Sequence, residues 1–296
     1  MTAIAYDRGG RGAPLVLLHP LGADRRVWDP LVGSLREQRE VVAVDLPGFG
    51  ESPPLRGQTP TPRALAGAVA SLLASVGLER AHLAGNSLGA WVALELALRG
   101  TAPAPEPEPE PGQEPESESE PTPTPTPTAM SVCAIAPAGL WPEPLVPKAS
   151  IGHRLARATL PLARRLVRTR SGRSLLLTGS VAHPDRVPPA DAAALVRAYA
   201  LAPDFIAVNN AMRAGRFEGL ERIRCPVTLV WPTHDRLIRR PISVPDGVRE
   251  LVLDDTGHIP IWDAPQELTR ILLDVSGDAE PAVRKASAAA PSRRPR

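Results

Sequence analysis

The sequence predicts an α/β protein: a mostly parallel central sheet, helices on both faces of it, and a helical cap insertion. Three observations carry this. Short apolar runs recur along the chain, each ending in a polar turn. Helical periodicity fills several of the gaps between them. One long stretch, 141–222, interrupts the alternation with helical pattern and no clear strand. Continuous apolar runs suit strands covered on both faces. Strands that alternate with helices pair in parallel, because each crossover returns the chain to the same edge.

Taken in order, strands are expected at 15–19, 41–46, 81–87, 131–136, 226–231 and 248–254. In 62–77, Leu65, Val69, Leu72, Leu73 and Val76 recur at helical spacing between Pro62 and Gly77, residue types that open and close helices. Residues 88–99 give a second helix and 262–275 a third. The resulting organisation is a core in three pieces (1–100, 129–140 and 223–276), a disordered Pro/Glu/Thr-rich insert at 101–128, the cap at 141–222 and a disordered basic tail at 277–296. The insert holds ten prolines and seven glutamates but no large apolar side chain, so it cannot offset its ordering entropy. It joins a helix to the next strand. In a parallel sheet that connection lies at the edge opposite the ligand sites.

The 296 residues, 43% hydrophobic and 22% charged, suffice for one large core and exclude a fibrous or wholly disordered protein. With no run of 18 apolar residues, no membrane span is expected. The first ten residues lack the apolar stretch of a signal peptide, which points to a cytoplasmic protein. Cys133 and Cys225 sit in apolar runs, as small buried hydrophobes do. Net charge is +2, and +9 without the insert's seven glutamates. Charge alone is weak evidence for nucleic acid. Zinc spacing, an RNA-binding aromatic motif and a basic heptad helix are all lacking, so no nucleic-acid partner is expected.

The strongest local signal is Gly85-Asn86-Ser87-Leu88-Gly89, a G-x-S-x-G between an expected strand and an expected helix. A sharp strand-to-helix turn would push the Ser87 hydroxyl out at the top of the sheet. The helix N-terminus would then offer its unpaired N–H groups to a developing oxyanion.

Four motifs in this order resemble the α/β-hydrolase superfamily, in its capped, serine-nucleophile form. His19-Pro20-Leu21-Gly22 occupies the oxyanion-loop position. Asp45 to Ser52 matches a D-x-P-G-x-G-x-S turn. Gly85 to Gly89 matches the nucleophile elbow. Gly257-His258-Ile259-Pro260, followed by Trp262 and Pro265, matches the terminal histidine segment. The resemblance spans about 14–275 without the insert. It implies Ser87 as nucleophile, His258 as base and Asp235 as the orienting acid, in the order Ser, acid, His. It also implies an oxyanion hole from the backbone N–H groups of Leu21 and Leu88.

Rival residues fit less well. His82 starts its strand, His153 and His183 lie in the cap, and His19 belongs to the oxyanion loop. Asp254 and Asp255 lie on the same strand end as His258. Pro137 to Leu140, where some hydrolases carry the acid, holds no carboxylate. Asp45 is expected to brace the oxyanion loop. Pro20 stands where the family most often has Gly, and the helix between Asp235 and His258 is shortened by Pro241 and Pro245. Arg154, Arg157, Arg164, Arg165 and Arg168 would share one arc of a helix continuing through Pro161, most simply a solvated face. Trp141, Phe205 and Met212 read as core packing.

The implied reaction is acyl transfer from a small ester, thioester or lactone through an acyl-enzyme on Ser87. It calls for no metal or organic cofactor. Relatives with an aspartate nucleophile, such as epoxide hydrolases, differ at position 87. A carbon–carbon bond hydrolase using the same residues, and a non-catalytic binding member of the fold, are the alternatives.

Overall fold

The computed structural model describes residues 4–100, 127–146, 151–241 and 243–277. An edge strand not expected from the sequence comes first: β1 (Tyr6–Gly10). The six apolar runs follow as β2 (Pro14–Leu18), β3 (Glu40–Val44), β4 (Arg80–Asn86), β5 (Thr128–Ile135), β6 (Val227–Pro232) and β7 (Arg249–Leu253). The strand order is β1-β3-β2-β4-β5-β6-β7. All neighbours pair in parallel except β1, which runs antiparallel to β3. β1 escaped the apolar pattern because it is a largely exposed edge of polar and glycine residues.

Alternate residues of the central strands feed two separate cores. Val16 and Leu18 pack with α2 (Pro62–Ser75) and α3 (Leu88–Arg99). Leu15 and Leu17 pack with α1 (Asp29–Arg36), another element not expected, and with the last helix, Pro265–Val275. Burial on both faces is why these strands read as unbroken apolar runs. Thr61 caps α2 by accepting from the Ala64 N–H at 3.1 Å, Pro62 opens it, and Gly77 at φ +74 follows its end.

Among the described residues, five α-helices lie between β5 and β6: α4 (Ile151–Ala158), α5 (Leu160–Leu166), α6 (Arg170–Leu177), α7 (Pro189–Leu201) and α8 (Phe205–Ala214). Helices α4, α5 and α6 pack on α7, and α7 and the α6–α7 linker pack on loops at the C-terminal edge of the sheet. A Cβ on Gly22 would lie 2.8 Å from Tyr199, and one on Gly257 2.6 Å from Ala182 N.

Three expectations are corrected. The helix does not run through Pro161: α4 ends at Ala158, and Pro161 sits in the first turn of α5. Proline has no N–H to return to the carbonyl four residues back, so the ladder breaks there. The five arginines are exposed and spread over α4, α5 and the turn after it, not along one helix. The strand expected from 131 begins at Thr128, inside the expected insert, where its N–H donates to Glu79 O at 2.8 Å. The last helix, α9, opens at Pro265, leaving Trp262 and Asp263 in the preceding turn. The rest of the insert, 101–126, and the tail from 278 lie outside the described residues.

Candidate active site

Ser87 follows the last residue of β4 and immediately precedes α3. Its backbone takes φ 56 and ψ −112, a conformation that L-residues hold only under constraint. The constraint is steric closeness. A Cβ on Gly85 would run into the Gly89 carbonyl, and one on Gly89 into the Leu18 carbonyl. Helix α3 therefore abuts the ends of β4 and β2, and the chain must turn sharply at Ser87. The Ser87 N–H donates to Ile135 O at 2.9 Å, which pins the turn to the end of β5. The Leu88 N–H opens α3 and has no partner within the helix.

The loop after β2 is braced from below. The Nε2 of His19 accepts the Leu46 N–H at 2.9 Å, so its proton resides on Nδ1, which donates to Pro20 O at 2.9 Å. The ring is wholly buried, and burial holds its pKa below the ordinary histidine value, keeping it neutral. Ala23 N–H donates to Pro20 O at 3.1 Å and closes a turn around Leu21. The departure at Pro20 thus leaves the loop intact: its carbonyl is used twice, and its missing N–H is not called upon.

Asp45 accepts the Arg25 N–H at 2.7 Å, the Arg25 guanidinium at 2.5 Å and the Glu51 N–H at 2.8 Å. Arg25 also reaches Asp7 and Glu51. Asp45 is thereby the brace expected of it, joining the segment after β2 to the turn after β3.

Asp235 follows β6 and comes to His258 across the strand ends. Nδ1 of His258 and Oδ2 of Asp235 are 2.8 Å apart, with side chains 6% and 5% exposed. The second carboxylate oxygen accepts the N–H groups of Leu237 at 2.7 Å and Ile238 at 2.9 Å. The segment after it holds no helix among the described residues, in keeping with Pro241 and Pro245. Asn86, next to Ser87, donates through Nδ2 to His258 O at 3.0 Å and to Ile135 O at 3.1 Å. This amide joins the elbow to the histidine loop. The motif gives no sign of this role, since residue 86 is a variable position of G-x-S-x-G.

The rivals lie elsewhere. His82 meets Ser131 Oγ at 2.8 Å near the start of β4. His153 stacks on Phe205, centroids 4.7 Å apart. Asp255 approaches His183 Nε2 at 2.8 Å and His234 Nδ1 at 3.6 Å, and is largely exposed. Trp141 packs edge-on against Trp91, and Met212 lies in the core.

A buried serine on a constrained strand-to-helix turn, whose neighbour Asn86 bonds the backbone of a histidine paired with an aspartate, is an arrangement that suits activation of a hydroxyl for attack on a carbonyl. Comparison with known proteins bears on the fold and family. The model of the alpha/beta hydrolase family matches residues 15–271. Epoxide hydrolase EphH of Mycobacterium tuberculosis is 27% identical over 234 residues, covering 74% of this chain and 97% of that protein. The pimeloyl-(acyl-carrier protein) methyl ester esterase of Aeromonas hydrophila is 43% identical over 97 residues, 32% of this chain and 36% of that protein. The structure of the enol-lactonase from Burkholderia xenovorans LB400 aligns with a TM-score of 0.67 and 20% identity, covering 93% and 96% of the two chains. Since the matched residues run from β2 into the last helix and so take in the elbow and the histidine loop, the chain belongs to the alpha/beta hydrolase family.

Proposed function

We propose that the protein is a serine hydrolase acting on a small ester, thioester or lactone. Ser87 attacks the substrate carbonyl as His258 takes its proton. Asp235 keeps the imidazole proton on Nδ1 and stabilises the imidazolium. The N–H groups of Leu21 and Leu88 hold the oxyanion, each such donor contributing roughly 10²–10³ in rate. The leaving group takes the proton back from His258. Water, activated by the same imidazole, then frees the acyl group. No step requires a metal or organic cofactor.

The observation that carries this reading is the 2.8 Å pairing of His258 with Asp235, together with a serine held at positive φ whose neighbour Asn86 bonds the His258 carbonyl. Ser87 Oγ makes no hydrogen bond among the described residues, so its approach to Nε2 is a step the proposal requires of the substrate complex. A serine at this position favours acyl transfer over the chemistry named for the epoxide hydrolase relative. Fluorophosphonate labelling tests the nucleophile, and a panel of p-nitrophenyl esters, thioesters, lactones, an epoxide and a vinylogous diketone tests the substrate class. Labelling of the wild type but not of Ser87→Ala is the expected result. Absence of labelling in folded wild-type protein refutes the reading, and cleavage of the diketone alone replaces it with carbon–carbon hydrolysis.

A further inference from the structure

Asp263, in the turn before α9, is 8% exposed and holds two distant segments together. Its Oδ2 accepts the N–H groups of Gly257 and Ala182, each at 2.9 Å. Its Oδ1 accepts the His183 N–H at 2.9 Å. Gly257 precedes His258, whereas Ala182 and His183 belong to the linker between α6 and α7. On the far side of His258, the Ile259 N–H donates to Ser180 O at 2.7 Å. Both neighbours of His258 are therefore tied to 180–183. Gly257 sits so close to this linker that a Cβ there would lie 2.6 Å from Ala182 N.

A buried carboxylate is unfavourable unless donors replace the water it loses. Here three backbone N–H groups do so, with the strength of charge-assisted bonds. We propose that Asp263 is a positioning residue for His258, locking the histidine loop to the α6–α7 linker and so setting where Nε2 meets Ser87. This rests on the hydrolytic reading above. Asp235 orients the imidazole through Nδ1 alone, which leaves translation of the loop to its backbone anchors. Asn86 supplies one anchor from the sheet side. Asp263 supplies the other from the helical side, and a displacement of about 1 Å can cost on the order of 10²-fold in rate.

The test uses the full chain with Asp263→Ala and Asp263→Asn. Asparagine has one acceptor oxygen, so it can keep the Gly257 and Ala182 bonds but turns an NH2 group toward the His183 N–H. Three quantities are measured alongside melting temperature: kcat and KM on an activated ester, the rate of fluorophosphonate labelling, and the NMR resonance of the His258 Nδ1 proton shared with Asp235. In Asp263→Ala, kcat should fall by about 10–100-fold with KM within about twofold, labelling should slow in step, and the proton should shift or broaden. Asp263→Asn should lie between. Wild-type kcat, labelling rate and proton position in folded Asp263→Ala overturn the proposal, whatever its melting temperature; if that variant does not fold, the same result in Asp263→Asn overturns it. A wild type that neither hydrolyses nor labels defeats the hydrolytic reading instead, and the proton resonance still decides whether Asp263 positions His258.

Discussion

Replacing Asp235 by asparagine should disable the protein without unfolding it, for a reason visible in the hydrogen bonds. Oδ1 of Asp235 accepts two backbone N–H groups, from Leu237 and Ile238. An asparagine side chain must place its oxygen there, because its NH2 group would face two donors. That forces the NH2 group toward Nδ1 of His258, 2.8 Å away in the parent. Nδ1 must then accept, and the ring proton moves to Nε2, the atom that receives the Ser87 proton in the mechanism we propose. A base with its lone pair turned away should lose roughly 10⁴ in kcat/KM, about 5 kcal/mol of transition-state stabilisation. Both backbone bonds survive, so melting temperature should fall less than in Asp235→Ala, which orphans the two N–H groups and the imidazole together. Steady-state kinetics on the best ester of the panel, with thermal denaturation of the same samples, measures both. Activity of Asp235→Asn within tenfold of wild type would refute the tautomer argument and remove Asp235 from the site.

Three further outcomes follow from the same geometry. Ser87→Gly should abolish labelling and lower turnover by on the order of 10⁴–10⁶ while raising the melting temperature, since glycine tolerates φ 56 without the cost of about 1–3 kcal/mol borne by other residues; an unchanged or lower melting temperature contradicts the strain. Burial lowers the folded-state pKa of His19 below its ordinary 6.5, so the unfolded chain binds the proton more readily. The stability held above pH 6.5 should therefore decline as pH falls below it, by up to about 1.4 kcal/mol per unit, and His19→Gln should show a shallower decline in denaturant titrations; equal slopes rule the effect out. Replacing 101–126 by a short Gly/Ser loop should leave kcat/KM within about twofold. A Cβ on Gly100 would lie 3.1 Å from Pro127 O, so the ends nearly touch, and they sit at the start of β4 and β5, about 20 Å along the strand from Ser87; a larger loss of activity would show that the insert reaches the site.

The parts legible in the sequence are those whose physics is local. Strands buried on both faces need apolar residues at every position, so β2 to β6 announce themselves. The elbow does too, because close approach of α3 to the sheet leaves room only for glycine at 85 and 89. β1 was silent, being a polar edge strand, and so was the short helix Asp29–Arg36.

Other features exist only once the chain is folded. On paper Asp235 is favoured over Asp254 and Asp255 as the partner of His258 only because it follows a neighbouring strand, with nothing in the sequence to show which carboxylate reaches the ring. Only the folding of the β6 and β7 ends turns Asp235 to the imidazole and Asp255 to His183 and His234. Asn86 and Asp263 reveal nothing in sequence, since each acts through backbone groups that come near only in the fold. Residue type and period decided which segments are strands, helices and elbow. Which polar groups meet at their ends was decided by tertiary packing, because a hydrogen bond between residues 80 or 170 positions apart has no periodic trace in the chain.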